Sequence, residues 1–89
     1  MKTEFRKSFA KDLKRQAKDK NLLAHVQKII LEVEAAGDTM KISNLKKLKA
    51  EGSYYRIRFG SYRIGLVIEY DTVVFVRILN RGEIYRYFP

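Results

Sequence analysis

The sequence predicts a small α+β domain in the order β-α-α-β-β-β, an antiparallel sheet with a helical hairpin packed on one face. Two stretches of helical periodicity fill the first half, and two alternating strand-like runs flank Gly60-Ser61 in the second, with a third β-branched run behind them. At 89 residues the chain suits one domain, so residues 1–89 are read as a single unit.

Taken in order, Lys2 to Arg6 make a short edge strand. Ser8 caps a first helix in which Phe9, Leu13 and Ala17 recur at four-residue spacing, with Lys7, Lys11, Lys14, Arg15 and Lys18 on other faces. Asn21 caps a second helix whose apolar face carries Leu22, Val26, Ile29, Ile30, Val33 and Ala36, and Gly37 ends it as a left-handed cap. The break between the two is short enough to force a hairpin. His25 lies beside the buried stripe and reads as a partly buried structural residue. Residues 38–53 form a connector from which Ile42, Leu45 and Leu48 turn inward.

Tyr54–Phe59 and Tyr62–Ile68 then pair through a two-residue turn, which fixes the register. Phe59 faces Tyr62, Arg58 faces Arg63, Ile57 faces Ile64 and Arg56 faces Gly65. Alternation sends Tyr55, Ile57, Phe59, Tyr62, Ile64 and Leu66 toward the helices and Arg56, Arg58 and Arg63 to the other face. Like charges directly opposite destabilise a sheet, so such a cluster suits a bound anion. Gly65, opposite Arg56, is expected to leave a hollow in that basic face. The third run, Thr72 to Leu79, follows the turn at Tyr70-Asp71. A three-residue turn over 69–71 is preferred, because it sets Arg77 beside Arg63 with Arg81 further along, whereas a two-residue turn would aim Arg77 inward. Tyr85, Tyr87 and Phe88 follow as aromatics suited to stacking on bases or to covering the sheet, with core packing preferred for Phe88.

Composition narrows the function. Nineteen Lys plus Arg against ten Asp plus Glu give a formal charge of +9, the footprint of a polyanion-binding protein. All eleven lysines fall by residue 49, whereas six of the eight arginines lie from Arg56 onward. Arginine offers a planar fork that matches phosphate bidentately, so the second half is assigned the specific anion contacts. A hydrophobic fraction of 46% with five Phe and six Tyr supports one small core. The lack of cysteine excludes disulfides, thiolate zinc sites and a cysteine nucleophile, and a lone histidine excludes a His-rich metal site. No apolar run approaches the roughly 18 residues of a membrane span, and Met1-Lys2-Thr3-Glu4 leads into charge. A soluble cytoplasmic domain without membrane contact is expected.

The ordered combination of Leu45-Lys46-Lys47-Leu48-Lys49, Tyr55-Arg56-Ile57-Arg58-Phe59-Gly60, Tyr62-Arg63-Ile64, the valine-rich strand and Arg81-(x)3-Tyr85-Arg86 resembles the RelE/ParE toxin superfamily. The resemblance covers nearly the whole chain and is closer to the RelE branch, which cleaves messenger RNA in the ribosomal decoding site. It implies a toxin of a type II toxin–antitoxin pair and a metal-independent, cofactor-free endoribonuclease that directs the RNA 2′-hydroxyl at the scissile phosphate. Arg56 and Arg58 match basic strand residues that hold the phosphate and help activate the 2′-hydroxyl. Arg63 matches an arginine that stabilises the transition state, Arg81 one that stabilises the leaving 5′-oxygen, and Tyr85 the tyrosine that stacks on the target nucleotide. Lys46, Lys47, Lys49, Arg77 and Arg86 are assigned to further RNA contact; for the three lysines a merely solvated surface is an equal reading.

The chain departs from the family pattern at Asn80, where relatives often carry histidine, at Gly82, where a basic residue is common, and at Ser61, often acidic. Arg56 and Arg58 stand where relatives often have lysine. Arginine is a poor general base at neutral pH, so a weakened activity is implied. Implied partners are an acidic cognate antitoxin, the 70S ribosome with its messenger and ribosomal RNA, and operator DNA only through the antitoxin complex. A ParE-like inhibitor of DNA gyrase and an inactive basic RNA-binding module stand as alternatives.

Overall fold

The computed structural model describes all of residues 1–89. The chain runs β1 (Lys2–Phe5), α1 (Lys7–Arg15), α2 (Lys20–Ala35), a 3-10 turn (Thr39–Lys41), β2 (Leu45–Lys47), β3 (Tyr54–Phe59), β4 (Tyr62–Glu69), β5 (Thr72–Asn80) and α3 (Ile84–Tyr87). Five strands form one sheet in the order β1-β5-β4-β3-β2. The short β2 was hidden in the expected connector: Leu45 pairs with Ile57 and so continues the apolar face, but three residues are too few to show a strand pattern. β1 pairs with β5 in parallel, so the sheet is not wholly antiparallel. No hairpin joins those two strands, and only a short connection would have forced the opposite sense.

The helix boundaries differ from the sequence reading because capping follows geometry. Asp19, not Asn21, caps α2, its carboxylate accepting from the Leu22 amide at 3.0 Å. Ser8 lies inside α1 and donates instead to the Val76 carbonyl. α1 stops at Arg15, which leaves Ala17 exposed beyond its end. At the end of α2 the Met1 amino group donates to the carbonyls of Val33, Glu34 and Ala36, groups that a left-handed Gly37 was expected to serve; Ala36 caps the helix in extended conformation. Phe9, Val26 and Val33 from the helices meet Ile57, Ile64, Leu66 and Phe75 from the inner face of the sheet, all 0–2% exposed. No helix is long and apolar enough to cross a membrane.

The β3–β4 register is the expected one, pair for pair from Arg56↔Gly65 to Phe59↔Tyr62. The β4–β5 turn is not. It has two residues, Tyr70 and Asp71, with Tyr70 in the left-handed region at φ 55°. Arg77 still escapes the core, by a different device: the register shifts between Gly65↔Arg77 and Leu66↔Phe75, leaving Val76 as a bulge. The extra residue restores Arg77 to the outer face, opposite Gly65, while Leu79 takes the place opposite Arg63.

The outer face is covered as well. α3 crosses it with Ile84 and Phe88 buried and Tyr85, Arg86 and Tyr87 exposed. The Phe88 ring lies directly on Gly65, where an added Cβ would stand 2.6 Å from ring carbons. The hollow expected at Gly65 is therefore filled by the protein's own tail. Tyr54 meets the same ring edge-on at 5.6 Å.

Candidate nucleic-acid interface

Arg58 and Arg63 face each other across β3 and β4, and Arg56 and Lys46 across β3 and β2, all on the outer face. The hairpin turn and the loop before β2 fix two of these side chains. Gly60 takes φ 54°, and the Arg63 Nη1 donates to the carbonyls of Gly60 at 3.1 Å and Tyr62 at 2.8 Å. The Arg56 Nη1 donates to the Asn44 carbonyl at 3.0 Å, where Asn44 itself has φ 62°. Each guanidinium keeps free donors for a ligand.

The tail reaches this cluster through the same hairpin turn. The Arg81 amide donates to the Ser61 carbonyl at 2.8 Å, and the Asn80 side chain accepts from the Gly82 amide at 3.0 Å. Asn80 thus shapes the bend that delivers α3. Partial burial pushes the Arg63 guanidinium below its ordinary pKa, followed by the like charges of Arg56 and Arg58; Tyr85 opposes the shift and Arg81 adds to it. The strand register and the Arg81–Ser61 contact set Arg56, Arg58, Arg63 and Arg81 around the β3–β4 hairpin, and Tyr85 follows Arg81 on α3, so the five residues expected to act together share one region. None of the four arginines has a carboxylate within ion-pair distance, the pairs present being Lys2–Asp71 and Arg77–Asp12. Four unpaired guanidinium groups at one end of the sheet repel one another, and a phosphate relieves that repulsion.

The remaining basic candidates disperse. Lys46 joins the cluster's face, whereas Lys47 pairs with Tyr55 and points to the other side, and Lys49 lies past the end of β2. Arg86 is exposed on α3. Arg77 is not beside Arg63: its Nε and Nη2 bind the two Asp12 carboxylate oxygens at 2.8 and 3.0 Å, and its Cζ lies 5.3 Å from the centre of the Tyr87 ring. The hydrogen bonds to Asp12 raise the Arg77 pKa above its ordinary value. His25 is exposed, its ring 5.3 Å from that of Phe59 on the helix side of the sheet and away from the arginines.

Asp12 went unrecognised in the sequence. It is 3% exposed and also accepts from the Ile78 amide at 3.0 Å. A signal was available: Asp12 is the sole acidic residue of α1 and falls three residues after Phe9, on the buried face.

A sequence model for the ParE toxin of type II toxin–antitoxin systems matches residues 3–85. Toxin RelE3 of Methanocaldococcus jannaschii is 42% identical over an alignment of 94 positions that spans the whole of both chains. The crystal structure of a RelB–RelE antitoxin–toxin complex from Methanococcus jannaschii superposes with a TM-score of 0.80 at 38% identity, over 97% of this chain and 99% of the other. A RelBE2 toxin–antitoxin complex from Mycobacterium tuberculosis gives 0.65 at 26% identity over 91% of each chain.

Proposed function

Since the chain belongs to the RelE/ParE toxin family of type II toxin–antitoxin systems, we propose that it is a ribosome-dependent endoribonuclease that cleaves messenger RNA in the decoding site. The observation that carries this reading is the convergence of four unpaired arginines and Tyr85 at the turn end of the β3–β4 hairpin.

RNA brings its own nucleophile, so the protein has to align the 2′-hydroxyl, neutralise the phosphate and stabilise the leaving oxygen. Arg56 and Arg58 hold the non-bridging oxygens, Arg63 meets the charge that grows on phosphorus, and Arg81 faces the departing 5′-oxygen. Tyr85 stacks on the base and turns the ribose toward attack. As the 2′-oxygen bonds to phosphorus the P–O5′ bond breaks, leaving a 2′,3′-cyclic phosphate and a 5′-hydroxyl. The 2′ proton passes to water and the 5′-oxygen takes one from water, because no guanidinium is basic at neutral pH. Turnover is accordingly slower than in relatives with lysine and histidine at these positions. Lys46, Lys47, Lys49 and Arg86 contribute sequence-independent contacts to RNA backbone.

In solved relatives the toxin is bound to an antitoxin. An acidic antitoxin covering this +9 surface, and binding operator DNA on behalf of the pair, is the corresponding partner here. The site of action is cytoplasmic. Incubation with ribosomes programmed with a defined message should cut the message within the decoding codon; intact message at stoichiometric protein rejects the reading. The ParE sequence match favours a second reading, inhibition of DNA gyrase without RNA cleavage. An unaltered supercoiling rate in excess protein removes it.

A further inference from the structure

We propose that Asp12 is a positioning residue for RNA cleavage, which acts through Arg77 and Tyr87 to fix the placement of Tyr85. The inference rests on the nuclease reading for its kinetic consequences but on the fold alone for its geometry.

β1 accompanies β5 only as far as Phe75, so beyond that point the edge of β5 has no neighbouring strand. α1 passes there, and Asp12 supplies the missing acceptor to the Ile78 amide. An asparagine would serve that amide equally well. Holding the fork of Arg77 is what requires a carboxylate, because both oxygens accept from it at once. Held this way, Arg77 presents its guanidinium to the Tyr87 ring.

α3 is a single turn of four residues and carries Tyr85 two positions before Tyr87. Ile84 anchors it from beneath, and Phe88, directly after it, rests on Gly65. Two anchors leave such a turn free to rock about the line that joins them. Tyr87 on Arg77 is the third point, and three points fix its orientation. The same ion pair withholds Arg77 from an incoming phosphate, although Arg77 and Arg56 flank Gly65 in adjacent strands.

The test compares Asp12→Asn, Tyr87→Leu, their combination and Tyr87→Phe. Asp12→Asn keeps an acceptor for Ile78 and loses the fork; Tyr87→Leu acts at an exposed side chain and leaves the core intact. Amide hydrogen exchange at residues 85–88 should quicken roughly ten-fold in Asp12→Asn and in Tyr87→Leu, the scale of a partly desolvated cation–π contact. Exchange in the β3–β4 hairpin should be unchanged, and Tyr87→Phe, which retains the ring, should match the parent. In programmed-ribosome cleavage each single change should lower kcat by about ten-fold with KM unchanged, and the double variant should lose no more than either alone. Exchange in α3 that stays at the parent rate, losses that multiply in the double variant, or a change confined to KM overturns the proposal. If the parent cleaves nothing, the nuclease reading fails, and the exchange rates alone decide whether the relay exists.

Discussion

Gly65→Ala tests the tail's seat on the sheet. Gly65 has no left-handed φ to protect, so a methyl group there is resisted by contact alone. Its Cβ would stand 2.6 Å from two carbons of the Phe88 ring, less than any relaxed contact permits. Phe88 is 2% exposed, so the ring cannot shift without leaving its site. Overpacking of this kind costs ~1–3 kcal/mol, and expelling the ring instead forfeits ~1.5–3 kcal/mol of apolar burial; either route predicts a loss near 2 kcal/mol. In a Phe88→Ala background the obstacle is gone, and Gly→Ala in a strand then gains roughly 0.5–1 kcal/mol. The predicted coupling is therefore about 2–3 kcal/mol, measured by urea unfolding followed by far-ultraviolet circular dichroism, with equal m-values as the control. A Gly65→Ala penalty that is the same in both backgrounds refutes the contact. Because α3 carries Tyr85, Gly65→Ala should also depress cleavage in the fully folded protein.

Four further outcomes follow from the geometry. Arg58→Thr removes one of two directly opposed cations and should raise stability by a few tenths of a kcal/mol while impairing cleavage, which unfolding and kinetic assays on the same preparation can resolve. Asp19→Ala should cost ~1 kcal/mol through loss of the cap on α2, whereas Asn21→Ala should lie within ~0.5 kcal/mol of the parent in the same melts. Arg63→Ala should abolish cleavage but weaken binding to single-stranded RNA only modestly, lowering the slope of log affinity against log salt by ~0.7. Lys46→Ala, on the arginine face, should weaken that binding more than Lys47→Ala, whose side chain points to the other face, and a titration at low salt compares them.

The hairpin was legible in the sequence because a two-residue turn leaves a single register, and that register carried Arg56, Arg58 and Arg63 to one face without further information. The C-terminal half of the site was harder to read. Arg77 reaches the outer face through a bulge at Val76, and nothing in a run of apolar residues announces a bulge. At Gly65 a hollow was expected and the Phe88 ring fills it: a glycine marks a close approach, but it does not say whether a ligand or the chain itself approaches. Helix starts at Ser8 and Asn21 were misplaced for different reasons: α1 begins after Arg6 with no side-chain cap at all, while at α2 Asp19 and Asn21 are both competent to cap and the direction in which the chain enters the helix selects Asp19. Asp12 was overlooked because its partner is 65 residues away, a separation that no local pattern spans.

If the arginine cluster is a cleavage site, one phosphate set among Arg56, Arg58, Arg63 and Arg81 is attacked by the neighbouring 2′-hydroxyl. Single-turnover cleavage on ribosomes programmed with two messages, identical except for one 2′-deoxy substitution in the decoding codon, isolates that step. The all-ribose message should be cut to an end bearing a 2′,3′-cyclic phosphate, and the substituted position should stay intact. Equal cleavage of the two messages, or cleavage of neither, contradicts attack by the 2′-hydroxyl at this site.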